Sequence, residues 1–195
     1  MELTKLAESY VYLAYAATAP LCEEAACAMA PYVVHGRANL ITNANANSTH
    51  SPGRAAFMAM EDARRSIARA LGARRAQEIV FTSGATESDD AALIGMAHAA
   101  AERRRSQMGS EAPHVVVTEI EHEAVLQPAK RLRAEGFDVT YVRPDRNGFV
   151  TCEAIERALT PNTVLVSVQM ANSEVGSIQP IADIAKLVHA AGALM

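Results

Sequence analysis

From Glu78 onward the chain alternates short apolar runs with segments of helical period. That alternation restricts the fold more than any other feature. Glu78 to Thr82, Val115 to Thr118, Val139 to Val142 and Thr163 to Val168 are predicted as strands. Between them the spacing predicts helices from the Ser83–Glu87 turn to about Gln107, over Glu123 to Glu135, over Cys152 to Leu159 and over Ile181 to Ala191. Gly136 and Gly192 stand where helices of this kind stop. Strands joined through helices build βαβ units and a mostly parallel sheet covered on both faces. The expected class is therefore α/β, a three-layer α/β/α domain. Ala193-Leu194-Met195 falls where the next strand is expected, so the sheet is incomplete on its C-terminal side. A sheet cut there leaves a strand edge and a helix face for another chain, or for more of the same polypeptide, to cover.

Upstream, Met1 to Ala19 is short and mixed, and a helix is expected over Cys22 to Ala30, ended by Pro31. Gly36 to Pro52 reads as a long loop rich in Asn, Ser and Thr. Gly53 to Leu71 reads as a helix with Phe57, Met60, Ile67 and Leu71 on one face and Arg64, Arg65 and Arg69 on the wetter side, stopped by Gly72. Half of the 195 residues are hydrophobic, 39 of them alanine, which is enough to bury a core. A net charge of −4 argues against nucleic acid as partner. No apolar run reaches the ~18 residues of a membrane span. Met1 to Tyr12 lacks a secretory pattern, which makes the cytoplasm the expected location. Cys22, Cys27 and Cys152 match no zinc or CxxC spacing and read as reduced thiols, and no metal site is expected.

Three segments carry chemistry. Ser83-Gly84-Ala85-Thr86-Glu87 joins a strand to a helix. Small residues before a helix N-terminus suit a phosphate, and the Thr86 hydroxyl adds a donor; an ordinary helix cap is the other reading. The segment lacks the lysine of a Walker A loop. His122, in Glu121-His122-Glu123, stands at the carboxyl end of a strand, where ligands bind in open α/β sheets. It reads either as a ring that stacks or moves a proton, or as a solvated loop residue. Asn172, in Asn172-Ser173-Glu174-Val175-Gly176, reads either as a donor to a phenolic or carboxylate oxygen or as a turn residue. All three converge on one edge of the expected sheet.

In this order and spacing the motifs resemble those of the NifS-like cysteine desulfurases of the class V aminotransferase family. The matching stretches are Tyr12 to Pro20, Asn47 to Arg54, Glu78 to Ser88, Glu121 to Leu126 and Asn172 to Pro180. The resemblance runs from about Tyr12 to the end and covers the first half of a family member. It implies the large domain of a fold type I enzyme dependent on pyridoxal 5′-phosphate. By that resemblance Ala85 and Thr86 hold the cofactor phosphate. His122 stacks on the pyridine ring and assists proton transfer, and so is also the catalytic candidate. Asn172 contacts the ring's phenolic oxygen. The family acts on L-cysteine, leaves alanine and an enzyme persulfide, passes sulfur to acceptor proteins in iron–sulfur cluster assembly, and forms homodimers. Its small domain takes in the N-terminal segment, here residues 1–30; residues 31–195 then begin the large domain.

The departures carry weight too. Ala14 and Tyr15 replace the family's Asp and Asn, and Asp89-Asp90 stands where Asn-Asn is usual. The family's Asp for the pyridine nitrogen, its Schiff-base Lys and its persulfide Cys lie beyond the matched half. Lys5, Lys130 and Lys186 sit in no matching context. The expectation is a chain not active alone. Its alternatives are a catalytically dead remnant acting by protein association, or another enzyme of the fold such as a selenocysteine lyase or an aminotransferase.

Overall fold

The computed structural model describes residues 11–33, 36, 42–108 and 111–195. Lys5 and parts of the expected opening segment and Asn-rich loop lie outside them. The chain forms two compact units, Met1–Phe81 and Thr82–Met195.

In the first unit, α1 (Glu23–Met29) runs into a 3₁₀ turn over Ala30–Tyr32 that takes in Pro31. The long helix α2 spans Ser51–Ala70. His50 caps it, with Nδ1 accepting from the Gly53 N–H at 3.1 Å. A Cβ at Gly53 would lie 2.5 Å from the Ser48 carbonyl oxygen, so the tight entry to this helix requires glycine. At the far end Gly72 takes φ +69°, and Ala73 N–H reaches Ala68 O at 2.9 Å.

Two expectations fail in this unit. The stripe Phe57, Met60, Ile67 and Leu71 is not core: Phe57 is 45% exposed and Leu71 73%, while Gly53 and Ala68 are the buried residues of α2. Periodicity fixes a helix; it does not supply the surface that covers its apolar face. Residues 78–82 do not form a strand either. Ala76–Glu78 is a 3₁₀ turn, and the extended residues after it pair with no described strand. Instead Arg64, which is largely covered, donates to the Ile79 carbonyl, pairs with Glu61 at 2.9 Å and lies 4.6 Å from the Phe81 ring centre. An extended apolar segment becomes a strand only when a neighbour accepts its hydrogen bonds.

The second unit follows the expected alternation: α3 (Ala85–Met108), β1 (His114–Thr118), α4 (Glu123–Ala134), β2 (Asp138–Val142), α5 (Cys152–Ala158), β3 (Thr163–Ser167) and α6 (Ile181–Ala190). The strands are parallel in the order β2-β1-β3. Every residue of the central β1 is buried, as a strand covered on both faces requires. One face packs Val115 and Val117 against Leu93 and Ala97 of α3 and Ala129 and Leu132 of α4. The other packs Val116 and Val166 against Ile155 of α5 and Ile184 and Val188 of α6. These are the three expected layers. Near the C-terminus Leu194 forms an isolated parallel bridge with Leu165, with Leu194 N–H to Val164 O at 3.0 Å and Val166 N–H to Leu194 O at 2.9 Å.

At the opposite, amino-terminal end of the sheet, His114 is buried. Its Nδ1 lies 2.8 Å from Thr163 Oγ1 and its Nε2 2.8 Å from Thr140 Oγ1, so one imidazole spans all three strands.

Candidate functional site

The carboxyl edge of a parallel sheet gathers the loops that leave its strands; His122 follows β1 and Asn172 follows β3 there, whereas Ala85 and Thr86 follow the unpaired residues 79–82. Ala85 and Thr86 open α3. The first N–H groups of a helix have no intrahelical acceptor and point toward any ligand at that end. Glu87 reaches back from the first turn and accepts from Ser83 N–H at 2.7 Å and Ser83 Oγ at 2.6 Å. Those bonds hold its carboxyl below the usual range. Thr82 Oγ1 meets Ser88 Oγ at 2.7 Å, which braces the same turn. Glu87 therefore ties the first turn back to Ser83 ahead of the helix, and Thr86 lines a cleft.

That cleft has a volume of about 690 Å³, within the usual range for ligand sites, and it is lined by Thr86, Glu87, Asp90, His122, Glu123 and Gln127 among others. It brings two predicted residues together, Thr86 and His122. Ala85 and Asn172 are not among its lining residues. His122 is the N-cap of α4, its Nδ1 accepting from Ala124 N–H at 3.1 Å. An accepting Nδ1 places the proton of the neutral ring on Nε2. No Lys or Arg is among the lining residues, whereas three carboxylates are.

Asn172 works within the protein. Its Nδ2 donates to Ile120 O and to Gln169 Oε1, each at 3.1 Å, and its Oδ1 accepts from Glu174 N–H and Val175 N–H, each at 2.9 Å. All the bonding capacity of that amide is in use. The turn it organises closes with Gly176 at φ +74° and Gly176 N–H to Asn172 O at 3.0 Å.

Sequence reasoning passed over Glu121. This half-buried carboxylate accepts from Thr118 Oγ1 at 2.8 Å and from Gln169 N–H at 2.7 Å. Burial raises its pKa above the ordinary value; the two hydrogen bonds oppose that rise, and the nearby charge of Asp89 adds to it. The signal available in sequence was an acid one residue before His122, at the end of a strand. The three cysteines are free, and no cluster of potential metal ligands occurs among the described residues.

Residues 11–195 match the model of the family described as aminotransferase class-V. The chain belongs to the class V aminotransferase family. It is 40% identical over 177 residues to the cysteine desulfurase IscS of Dictyoglomus turgidum, covering 91% of this chain and 41% of that protein. To the cysteine desulfurase IscS of Glaesserella parasuis it is 41% identical over 180 residues, covering 92% and 41%. Among solved structures it resembles SspA in complex with cysteine, with a TM-score of 0.78 and 33% identity over 94% of this chain and 49% of that one. It also resembles a NifS-like protein, with a TM-score of 0.77 and 35% identity over 92% and 45%. This class V chain has the fold of the pyridoxal-phosphate enzymes of fold type I, and it spans about two fifths of the length of the curated relatives it matches.

Proposed function

We propose that these residues form the cofactor-holding part of a pyridoxal-phosphate enzyme of the cysteine desulfurase type, acting on L-cysteine and releasing alanine. The observation that carries the reading is the meeting of Thr86, at the head of α3, with His122 on one cleft. The donor set fits the cofactor: a helix N-terminus and a hydroxyl for the phosphate, an imidazole for the ring face. When bound, the cofactor supplies an electron sink. The chain's own part is to seat the phosphate at Ala85 and Thr86 and to orient His122 through its cap bond. In this tautomer His122 offers its Nε2–H, the atom at which it would hand over or receive a proton. The resemblance gives Asn172 a contact with the ring's phenolic oxygen, and its amide here also fixes its own loop.

On this reading residues 1–30 belong to the small domain and the protein is a cytoplasmic homodimer that passes sulfur to an acceptor protein. No described helix is long and apolar enough to cross a membrane. Among the described residues no lysine lines the cleft to anchor the cofactor or take up the α-proton, so cysteine turnover by these 195 residues alone is not expected. A second reading is a catalytically dead remnant that works by protein association. A third is another reaction of the same fold, such as that of a selenocysteine lyase or an aminotransferase.

The test is binding of pyridoxal phosphate to the purified chain, read as visible absorbance that survives gel filtration, with and without borohydride. Retained absorbance without borohydride fixation is expected, with affinity about tenfold weaker in His122→Ala, the ~1.4 kcal/mol of one ring contact. Absence of retained absorbance, or affinity indifferent to His122, sinks the reading and favours the association one.

A further inference from the structure

Glu121 is a half-buried carboxylate with no part in the chemistry proposed above. It is costly to keep there: burial disfavours its charge, and the Asp89 carboxylate on α3 faces it. Two strong bonds offset that cost. Thr118 Oγ1 donates to Glu121 Oε1 at 2.8 Å and closes the turn that leaves β1. Gln169 N–H donates to the same oxygen at 2.7 Å and ties that turn to the segment leaving β3. Two more ties act on the same four residues. Asn172 Nδ2 donates to Ile120 O at 3.1 Å, and Glu119 N–H donates to Val142 O at 2.9 Å, on the β2 side. The backbone over 119–121 is thus held from both neighbouring strands. The next residue is His122, whose ring lines the cleft and whose Nδ1 is committed to Ala124 N–H.

We propose that Glu121 is a positioning residue: by clamping the turn before α4 to the segment after β3, it fixes the place and tautomer of His122 at the cleft. The proposal rests on the cofactor reading only for its consequence in binding; the geometry of the ring stands apart from it. Direct hydrogen bonds to a side-chain oxygen are what the clamp needs, not the negative charge. A glutamine at this position keeps an accepting oxygen for both Thr118 and Gln169, and an alanine keeps neither.

The experiment compares the intact chain with Glu121→Gln and Glu121→Ala by histidine-ring ¹H–¹⁵N spectra, thermal unfolding and titration with pyridoxal phosphate. In the unaltered chain His122 gives the pattern of a fixed Nε2–H ring. Glu121→Ala shifts that pattern toward a mixture of both tautomers and weakens cofactor affinity about tenfold. Glu121→Gln restores the ring pattern and brings affinity back to within about twofold. Thr118→Val, which removes one of the two donors, gives a smaller shift in the same direction and serves if the alanine variant does not fold. An unchanged His122 pattern in Glu121→Ala overturns the proposal, as does a well-folded Glu121→Gln that does not restore it. If the unaltered chain binds no cofactor, the function proposed above falls, and the ring spectra still decide the role of Glu121.

Discussion

His122, Asn172 and His114 show how little a residue's type says about its work until its partners are known. The family resemblance makes a histidine and an asparagine, both at strand ends, contacts for the same ring. The histidine does face the cleft, whereas the asparagine spends its whole amide on Ile120, Gln169, Glu174 and Val175. His114 attracted no notice in the sequence, yet it links three strands through Thr163 and Thr140. Burial lowers its pKa from the ordinary value of 6.5, with the Asp138 charge opposing. The unfolded chain then binds the proton more readily, so stability from the neutral ring is complete above pH 6.5 and drains away as pH falls below it toward the folded value. Urea midpoints should decline over that interval, and His114→Ala should flatten the decline while costing about 2 kcal/mol at neutral pH. Asp90 makes a second case. It lines the cleft where the resembling family carries a neutral amide, and its charge opposes a phosphate. Asp90→Asn should tighten pyridoxal phosphate on the order of threefold, the worth of one like charge removed at a solvated site, with the gain shrinking in high salt.

At the scale of elements, the sequence was legible wherever local chemistry and tertiary partner agreed. All four helices of the second unit and three of the four expected strands formed within a residue or two of their expected bounds. The glycines at 136 and 192 stopped helices by taking positive φ, which their lack of a Cβ makes easy. The fourth strand did not form, because residues 79–82 have the composition of a strand without a partner, and Arg64 takes the Ile79 carbonyl instead. Leu194 is the counterpart: this one residue forms a bridge because β3 is beside it. Leu194→Pro removes the donor to Val164 O, and should cost about 2 kcal/mol in denaturant unfolding and speed amide exchange at Val166.

For the whole molecule, the division of the core matters most. Both hydrophobic clusters consist of residues from 93 onward, so the layered sheet owes its packing to the second unit. Residues 82–195 expressed alone should keep the parallel sheet and unfold cooperatively, as followed by circular dichroism and amide exchange at Val115, Val116 and Val117. Loss of protection at those three amides would show that the first unit is needed for the core. Among the described residues of the first unit, α2 leaves Phe57 and Met58 exposed and itself buries Gly53 and Ala68.

What the sequence determined by itself was what depends on neighbours along the chain: the alternation of strand and helix, the stops at glycine, the α/β class and the family motifs at the sheet's carboxyl edge. Tertiary structure decided everything that needs a partner distant in sequence. It tied Glu87 back to Ser83, gave the Asn172 amide to its loop, put Glu121 between two strand ends, and left the α2 stripe open and residues 79–82 unpaired. The physical reason is the same throughout. A backbone preference is settled within a few residues, whereas a hydrogen bond, a buried face or a strand exists only when the other half arrives from elsewhere in the fold.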